Sequence, residues 1–356
     1  MKMQRLVVLG LLMMVSPALA GGDIPQFTLA WSEYPSWSTF GVAANADVGL
    51  IDGKANAMGE IEKKYNVDIV LLLADYDTCM VMYGSNKADA VCITNTDVLS
   101  PSLKRASTAI MPTSTSNGAD ALIVRGDITS LDQLRGKNVY GLSKSVSEYM
   151  FARNVQERGG NLPDFNFTNM DPGAAALAMQ QGKEGIDAIV VWNPFVLQTL
   201  NQRKDARVLF DSTSIPGEII DMVVMSNDSL KREGGDRAAK AICETFYRIN
   251  QRLNDPSTRD DTLLALGDKF SNLTVQHMRK VVRQTKFYGT AAEGIAVFMN
   301  PELPKTMKKI ADFCVSCDML SGKQPTIGYG DTKGNFGDTK GMLRFDPSFM
   351  QAVSKD

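Results

Sequence analysis

Residues 67–94, VDIVLLLADYDTCMVMYGSNKADAVCIT, set the architecture. A continuous apolar run over 67–73 reads as a buried strand, 77–84 as a short helix, and 88–94 as a second strand. Working outward, 27–31 is a further strand, joined to this unit by an amphipathic helix over 49–65. On the far side, the turn-rich stretch PTSTSNG at 112–118 separates the first series from a second. That series runs strand 121–124, helical turn 130–134, strand 138–141, helix 146–158, strand 165–170, helix 173–181 and strand 186–192. Asp171 and Pro172 supply an N-cap and a first helical position for the helix at 173–181. Beyond 208–210 and 222–225, helical periodicity takes over at 237–253, 259–266, 274–284, 293–299 and 303–313.

Strands alternating with helices predict an α/β fold with doubly wound sheets. Two such series followed by helices predict two lobes and a helical C-terminal part. The expected division is 21–113 plus 226–356 for the first lobe and 114–225 for the second, with 122–124 and 222–224 as crossing strands. A small molecule is expected between the lobes, at strand ends and helix starts, with hinge closure around it.

The first residues read as an export signal. Lys2 and Arg5 precede an apolar run at 6–15, and Ala18-Leu19-Ala20 offers a small-x-small cleavage site. The predicted signal peptide is 1–20, which places the mature chain in the periplasm. No cysteine follows the site, so a lipoprotein is not expected, and the chain is expected to be a monomer. The 356 residues carry a net charge of −2, and removing the leader makes the balance slightly more acidic. Nucleic acid is therefore not an expected partner, since it would call for a basic patch or domain.

Five cysteines do not form a framework. Cys79, Cys92 and Cys243 read as buried thiols, while Cys314-x-x-Cys317 stands late in a helix, where a local disulfide is expected more than redox or zinc chemistry. No metal or cofactor is expected. The repeat GDTKG at 330–334 and 337–341 lacks calcium-loop spacing, and its glycines do not fit a dinucleotide fingerprint. The single histidine, His277, lies in a polar helix, and no nucleophile elbow or HExxH pair is present, so an enzyme is not expected.

Several phrases carry a family resemblance: AWSEYPSW (30–37), TNTD (94–97), LDQLRGKNV (131–139) and VVWNP (190–194). FDSTSIPGEIID (210–221), TKFY (285–288) and LRFDP (343–347) follow in order. The chain is similar to the periplasmic binding proteins of nitrate, sulfonate and taurine ABC importers, and most of all to the branch encoded beside urea carboxylase genes. The resemblance implies a type 2 periplasmic-binding-protein clamshell that hands a solute to permease and ATPase subunits. A sensor built on the same clamshell is not distinguished from a transporter by the chain itself. The branch implies a urea-, guanidine- or amidine-like solute. The wider family implies sulfonate, taurine or nitrate.

The loops after the predicted strands nominate ligand-binding residues. They are Trp31, Glu33, Tyr34 and Trp37 from the first; Asp75 from the second; Asn95 and Asp97 from the third; and Ser145, Trp192, Asn193, Glu218 and Asp221 from the second lobe. Carboxylates dominate, with Lys144 the one basic residue nearby. Such a mouth suits a small cation, whose guanidinium group could pair bidentately with a carboxylate and stack on an indole. Asp97 and Ser145 could equally cap helices, and Trp192 could equally plug the core.

Overall fold

The structure, a computed structural model, describes residues 24–270, 273–330 and 340–354. The expected signal peptide lies outside the described residues, as does most of the GDTKG repeat.

Strands β1 (Gln26–Trp31), β2 (Asp68–Leu73) and β3 (Ala90–Thr94) run parallel, with β1 between the other two. Every residue of β3 is buried, as expected for a strand covered on both faces. β4 (Ser107–Ser116) follows, and then the chain leaves this sheet. β5 (Asp120–Arg125), β6 (Asn138–Gly141), β7 (Asn166–Asn169), β8 (Ala188–Trp192) and β9 (Ala206–Asp211) build a second sheet in the order β7-β6-β8-β5-β9. β10 (Ile220–Ser226) returns to the first sheet between β3 and β4. β11 (Thr285–Phe287), β12 (Ile327–Tyr329) and β13 (Leu343–Phe345) complete the larger sheet, ordered β12-β13-β4-β10-β3-β1-β2 with β11 on β4. The amphipathic helix Gly235–Asn254 packs on the larger sheet's lobe, burying Ala238, Ile242, Phe246 and Ile249 along one stripe.

The chain therefore crosses between the sheets twice, at 117–119 and at 212–219. The crossings are tied to each other: Ser116 and Ser212 share a hydroxyl contact of 2.7 Å, and the Gly118 amide donates to Ser212 Oγ at 2.8 Å. Gly118 (φ +91°) and Gly217 (φ +74°) place one left-handed residue in each crossing.

Four expectations change. The helix expected over 49–65 is limited to Glu60–Tyr65, because Gly49, Gly53 and Asn56 adopt positive φ and break any earlier turn. The turn-rich 112–118 stretch is mostly strand: β4 runs to Ser116 with all ten residues buried. Its hydroxyls find partners, as when Thr115 Oγ1 donates to the Ile219 carbonyl at 2.7 Å. The segments 122–124 and 222–224 are inner strands of the smaller and the larger sheet and not crossings. Three short strands in the tail, β11 to β13, were not expected, because each has only three residues.

Candidate ligand-binding site

Two strands run against their neighbours, and this reversal makes the site. β10 is antiparallel to β3 and sets Asp221, near its amino end, against Thr94 at the carboxyl end of β3. β5 is antiparallel to β8 and sets Asp120, its first residue, opposite Trp192, the last residue of β8. A carboxylate from each sheet thereby reaches the same cavity beside the crossings.

Aromatic side chains wall it. Tyr34 and Trp37 come from the loop after β1 and lie 4.8 Å apart between ring centroids. Trp37 stacks on Tyr76 at 5.4 Å and 18°, and Tyr76 meets Trp192 edge-on at 5.5 Å. Thr94 and Val146 complete the lining with Asp120 and Asp221. The space left between these side chains is narrow, with room for about one water. No Lys, Arg or His lines it.

The electrostatics are one-sided. Asp120 (3% exposed) and Asp221 (1% exposed) are deeply buried. Burial pushes Asp120 up to about 7, with Ser116 opposing and Asp97 and Asp211 adding repulsion. Asp221 is held well above the carboxylate range by burial, and Asp120 and Asp97 repel it further, although Ser114 Oγ donates to its Oδ2 at 2.5 Å. Two buried polar atoms lack hydrogen-bond partners around this cage: Trp37 Nε1 and Asn193 Oδ1. Buried groups of this kind are costly to leave unpaired. The cage is thus short of positive charge. Among the described residues no group of three His, Cys, Asp or Glu is placed to hold a metal ion.

The nominated residues divide into three groups. Tyr34, Trp37, Trp192 and Asp221 line the cage. Glu33 and Asp75 line a larger outer chamber, which Trp192 and Tyr76 separate from the cage. The remaining six serve the frame. Trp31 packs over Gly41, where a Cβ would lie 2.7 Å from its ring. Asn95 braces the second crossing, donating to the Glu218 carbonyl at 3.0 Å and accepting from the Ile220 amide at 2.9 Å. Ser145 caps the helix Val146–Glu157, and Asn193 donates to Gln284 at 3.0 Å.

Asp97 and Glu218 hold elements together. Asp97 Oδ2 accepts from the Tyr76 hydroxyl at 2.8 Å and from the Val146 amide of the other lobe at 3.1 Å. Burial raises its pKa to about 6 against those bonds. Glu218, expected at the mouth without compensation, is fully paired. It accepts from Tyr149 (2.6 Å), Arg153 (2.9 and 3.0 Å) and Lys309 (2.5 Å). Burial alone would raise its pKa; these donors outweigh burial and hold it at about 2. Lys144 lines neither chamber. Cys314 and Cys317 are free thiols rather than a disulfide.

Asp120 is the cage carboxylate that the sequence reading does not nominate. Strand carboxyl ends were the guide, and Asp120 sits at the amino end of a strand whose reversal the sequence does not announce. A carboxylate opening an otherwise apolar strand, DALIV at 120–124, is the signal available.

The outer chamber, about 420 Å³, lies between the sheets' loops, with Glu33, Asp75 and Asp77 from one lobe and Asp171 and Pro172 from the other. Glu33 is raised by partial burial first and by repulsion from Asp75 second.

A scan of protein-family models finds no match, and a search of curated proteins finds none. Solved structures do match. The alkanesulfonate-binding protein of Xanthomonas axonopodis pv. citri, bound to MOPS, superposes with TM-score 0.65 at 14% identity, over 83% of this chain and 94% of that one. A Candida albicans protein described as exhibiting the generic periplasmic binding protein structural fold gives 0.61 at 13% identity, over 84% and 92%. This chain has that fold. The periplasmic nitrate-binding protein of Synechocystis PCC 6803 gives 0.54 at 11% identity, over 82% and 86%. At these identities the likeness concerns architecture, and two sheets joined by two crossings match the expected clamshell. Among the described residues no helix is long and apolar enough to cross a membrane.

Proposed function

We propose that this protein is the periplasmic solute-binding component of an ABC importer and captures a small planar nitrogen cation of the guanidinium or amidinium type. One observation carries the reading: Asp120 and Asp221, one from each sheet, are buried in an aromatic cage that no basic side chain lines. A planar cation between them donates charge-assisted hydrogen bonds to carboxylates of both lobes, so its binding energy is also closure energy. Its faces lie against Trp37, Tyr76 or Trp192, where cation–π attraction adds to the fit. Solute capture needs only binding and closure, with no reaction step. The leader at 1–20 and the phrase FDSTSIPGEIID at 210–221 support export and the urea-carboxylase-associated branch. We assign 24–116 and 220–354 to one lobe and 117–219 to the other, following sheet membership.

Two of the matched structures are of proteins named for sulfonate and nitrate binding, which favours an anion as a second reading. An anion in this cage would find no cation to pair with and could be held only by carboxyl groups in their protonated form. Calorimetry and thermal unfolding with guanidinium, urea, taurine and nitrate separate the readings. Guanidinium at a hundred times its Kd is expected to add about 2.7 kcal/mol of stability. Urea is expected to bind more weakly, because it relieves no charge. Tight binding of taurine or nitrate refutes the cationic assignment.

A further inference from the structure

We propose that Asp97 is a positioning residue that latches the two lobes together through the Val146 amide, so that closure is held by protein groups whether or not a solute is bound. The inference goes beyond the solute assignment and does not depend on the charge of the solute. Val146 is the first residue of the helix Val146–Glu157 in the smaller sheet's lobe. Amides in the first turn of a helix have no intrahelical acceptor. Ser145 Oγ satisfies the Ser147 amide at 3.2 Å from within that lobe. The Val146 amide instead donates across the cleft to Asp97 Oδ2 at 3.1 Å. There the carboxylate also meets the positive end of the helix dipole.

Asp97 is braced from its own lobe. The Tyr76 hydroxyl donates to Oδ2 at 2.8 Å and the Thr96 hydroxyl to Oδ1 at 3.0 Å. Tyr76 is also a wall of the cage, stacked on Trp37 and edge-on to Trp192 of the other lobe. The latch and the wall are one assembly, and Asp97 acts on a solute through Tyr76. A second contact grips the same helix further along. Phe313 meets Tyr149 edge-on at 5.5 Å, and the Arg153 guanidinium lies 5.3 Å from its ring centre. Phe313 belongs to the helix Leu303–Ser316, whose Met307 sulfur accepts from Asn95 Nδ2 of the larger sheet's lobe at 3.5 Å. Parting the lobes breaks the Asp97 bond and leaves the Val146 amide to water. A hydrogen bond to a charged group shifts such an equilibrium by about tenfold to a hundredfold.

The test reads the Val146 amide itself, by hydrogen exchange in solute-free protein followed by NMR. In the native protein this amide is expected to exchange at least about tenfold more slowly than an unprotected one. Asp97→Ala is expected to remove that protection, and Asp97→Asn, which keeps the shape and loses the charge, to reduce it by a smaller factor. The Tyr149 amide, bonded within the lobe to the Ser145 carbonyl at 3.0 Å, is expected to stay within about twofold in Asp97→Asn. Unprotected exchange at Val146 in the native protein, or exchange unchanged by Asp97→Ala, overturns the latch. An equal rise at Tyr149 in Asp97→Asn overturns it as well. A second measurement uses spin labels on Val81→Cys and Leu177→Cys, at positions 67% and 53% exposed on helices of opposite lobes. Cys317→Ser is added, since the other four cysteines are buried. Asp97→Asn is expected to add a population at longer label separation, and a distribution identical to the native one overturns the proposal. Neither measurement uses a solute, so a failure of guanidinium to bind sinks the solute assignment alone.

Discussion

Replacing Asp120 with Asn is expected to move binding and stability in opposite directions. The substitution keeps the shape of the side chain and removes its charge. In the loaded protein it deletes one of two carboxylates facing the cation, and truncating a buried charge pair costs about 2–5 kcal/mol. At about 1.4 kcal/mol per tenfold, affinity for guanidinium falls by about 30-fold to several thousand-fold. In the empty protein the sign reverses. Burial raises the Asp120 pKa from 3.8 to about 7, so ionising it in the folded state is penalised by about 4 kcal/mol once pH exceeds both values. A raised carboxylate contributes no penalty below its unfolded pKa, and the penalty is complete above its folded one. Asp120→Asn is therefore expected to stabilise the empty protein at pH 8 and to leave it nearly unchanged near pH 4. Thermal unfolding at both pH values, with and without submillimolar guanidinium, measures both effects on one sample. A variant that is less stable when empty at pH 8, or that binds guanidinium as the native protein does, refutes the account of Asp120 as an uncompensated carboxylate awaiting a cation.

Two further outcomes follow from the same charges. Affinity for guanidinium is expected to rise with pH through the range of Asp97, at about 6, and Asp120, at about 7. Proton release on binding, read by calorimetry in buffers of different ionisation enthalpy, checks this, and pH-independent affinity contradicts it. Glu218→Gln is expected to cost about 1–3 kcal/mol of stability, because it removes the carboxylate shared by Arg153 and Lys309 while Arg153 keeps Glu157, with little change in the Kd for guanidinium. Because the Glu218 pKa is depressed to about 2, the contribution of Glu218 is complete above its ordinary value near 4.5 and fades as pH falls toward 2. Denaturant titrations at pH 3 and pH 7 measure it.

The alternation that reveals two α/β units was legible because buried parallel strands such as AVCIT at 90–94 are continuous apolar runs. β4 was not legible as a strand over its second half. Its TSTS hydroxyls find their partners in Ser36, Asp221, the Ile219 carbonyl and Ser212, all distant in the chain, a tertiary condition that local composition does not carry. The aromatic half of the cage could be found from the AWSEYPSW phrase, since Tyr34 and Trp37 follow a strand end. The acidic half was misassigned in part. Glu218 and Asp221 are three residues apart and look alike in sequence, yet one meets Arg153 and Lys309 and the other meets none. Partners from helices 64 and more residues away decide which carboxylate is satisfied and which waits. Asp120 escaped because strand direction, set by the crossing at 117–119, determines which end of β5 faces the cleft.

The two crossings leave the larger sheet side by side, the Ser116 amide donating to the Ile219 carbonyl at 3.3 Å, and this constrains how the protein can move. A pair of linkers bound to each other defines one rotation axis and resists sliding. Asp120 and Asp221 each sit one or two residues from that axis, while Asp75 and Asp171 lie at the outer chamber. Any rotation of one lobe against the other therefore displaces the inner carboxylates least and the outer ones most. The lever arm orders the events of opening: the wide chamber floods with water first, while a solute in the cage is still held from both sides.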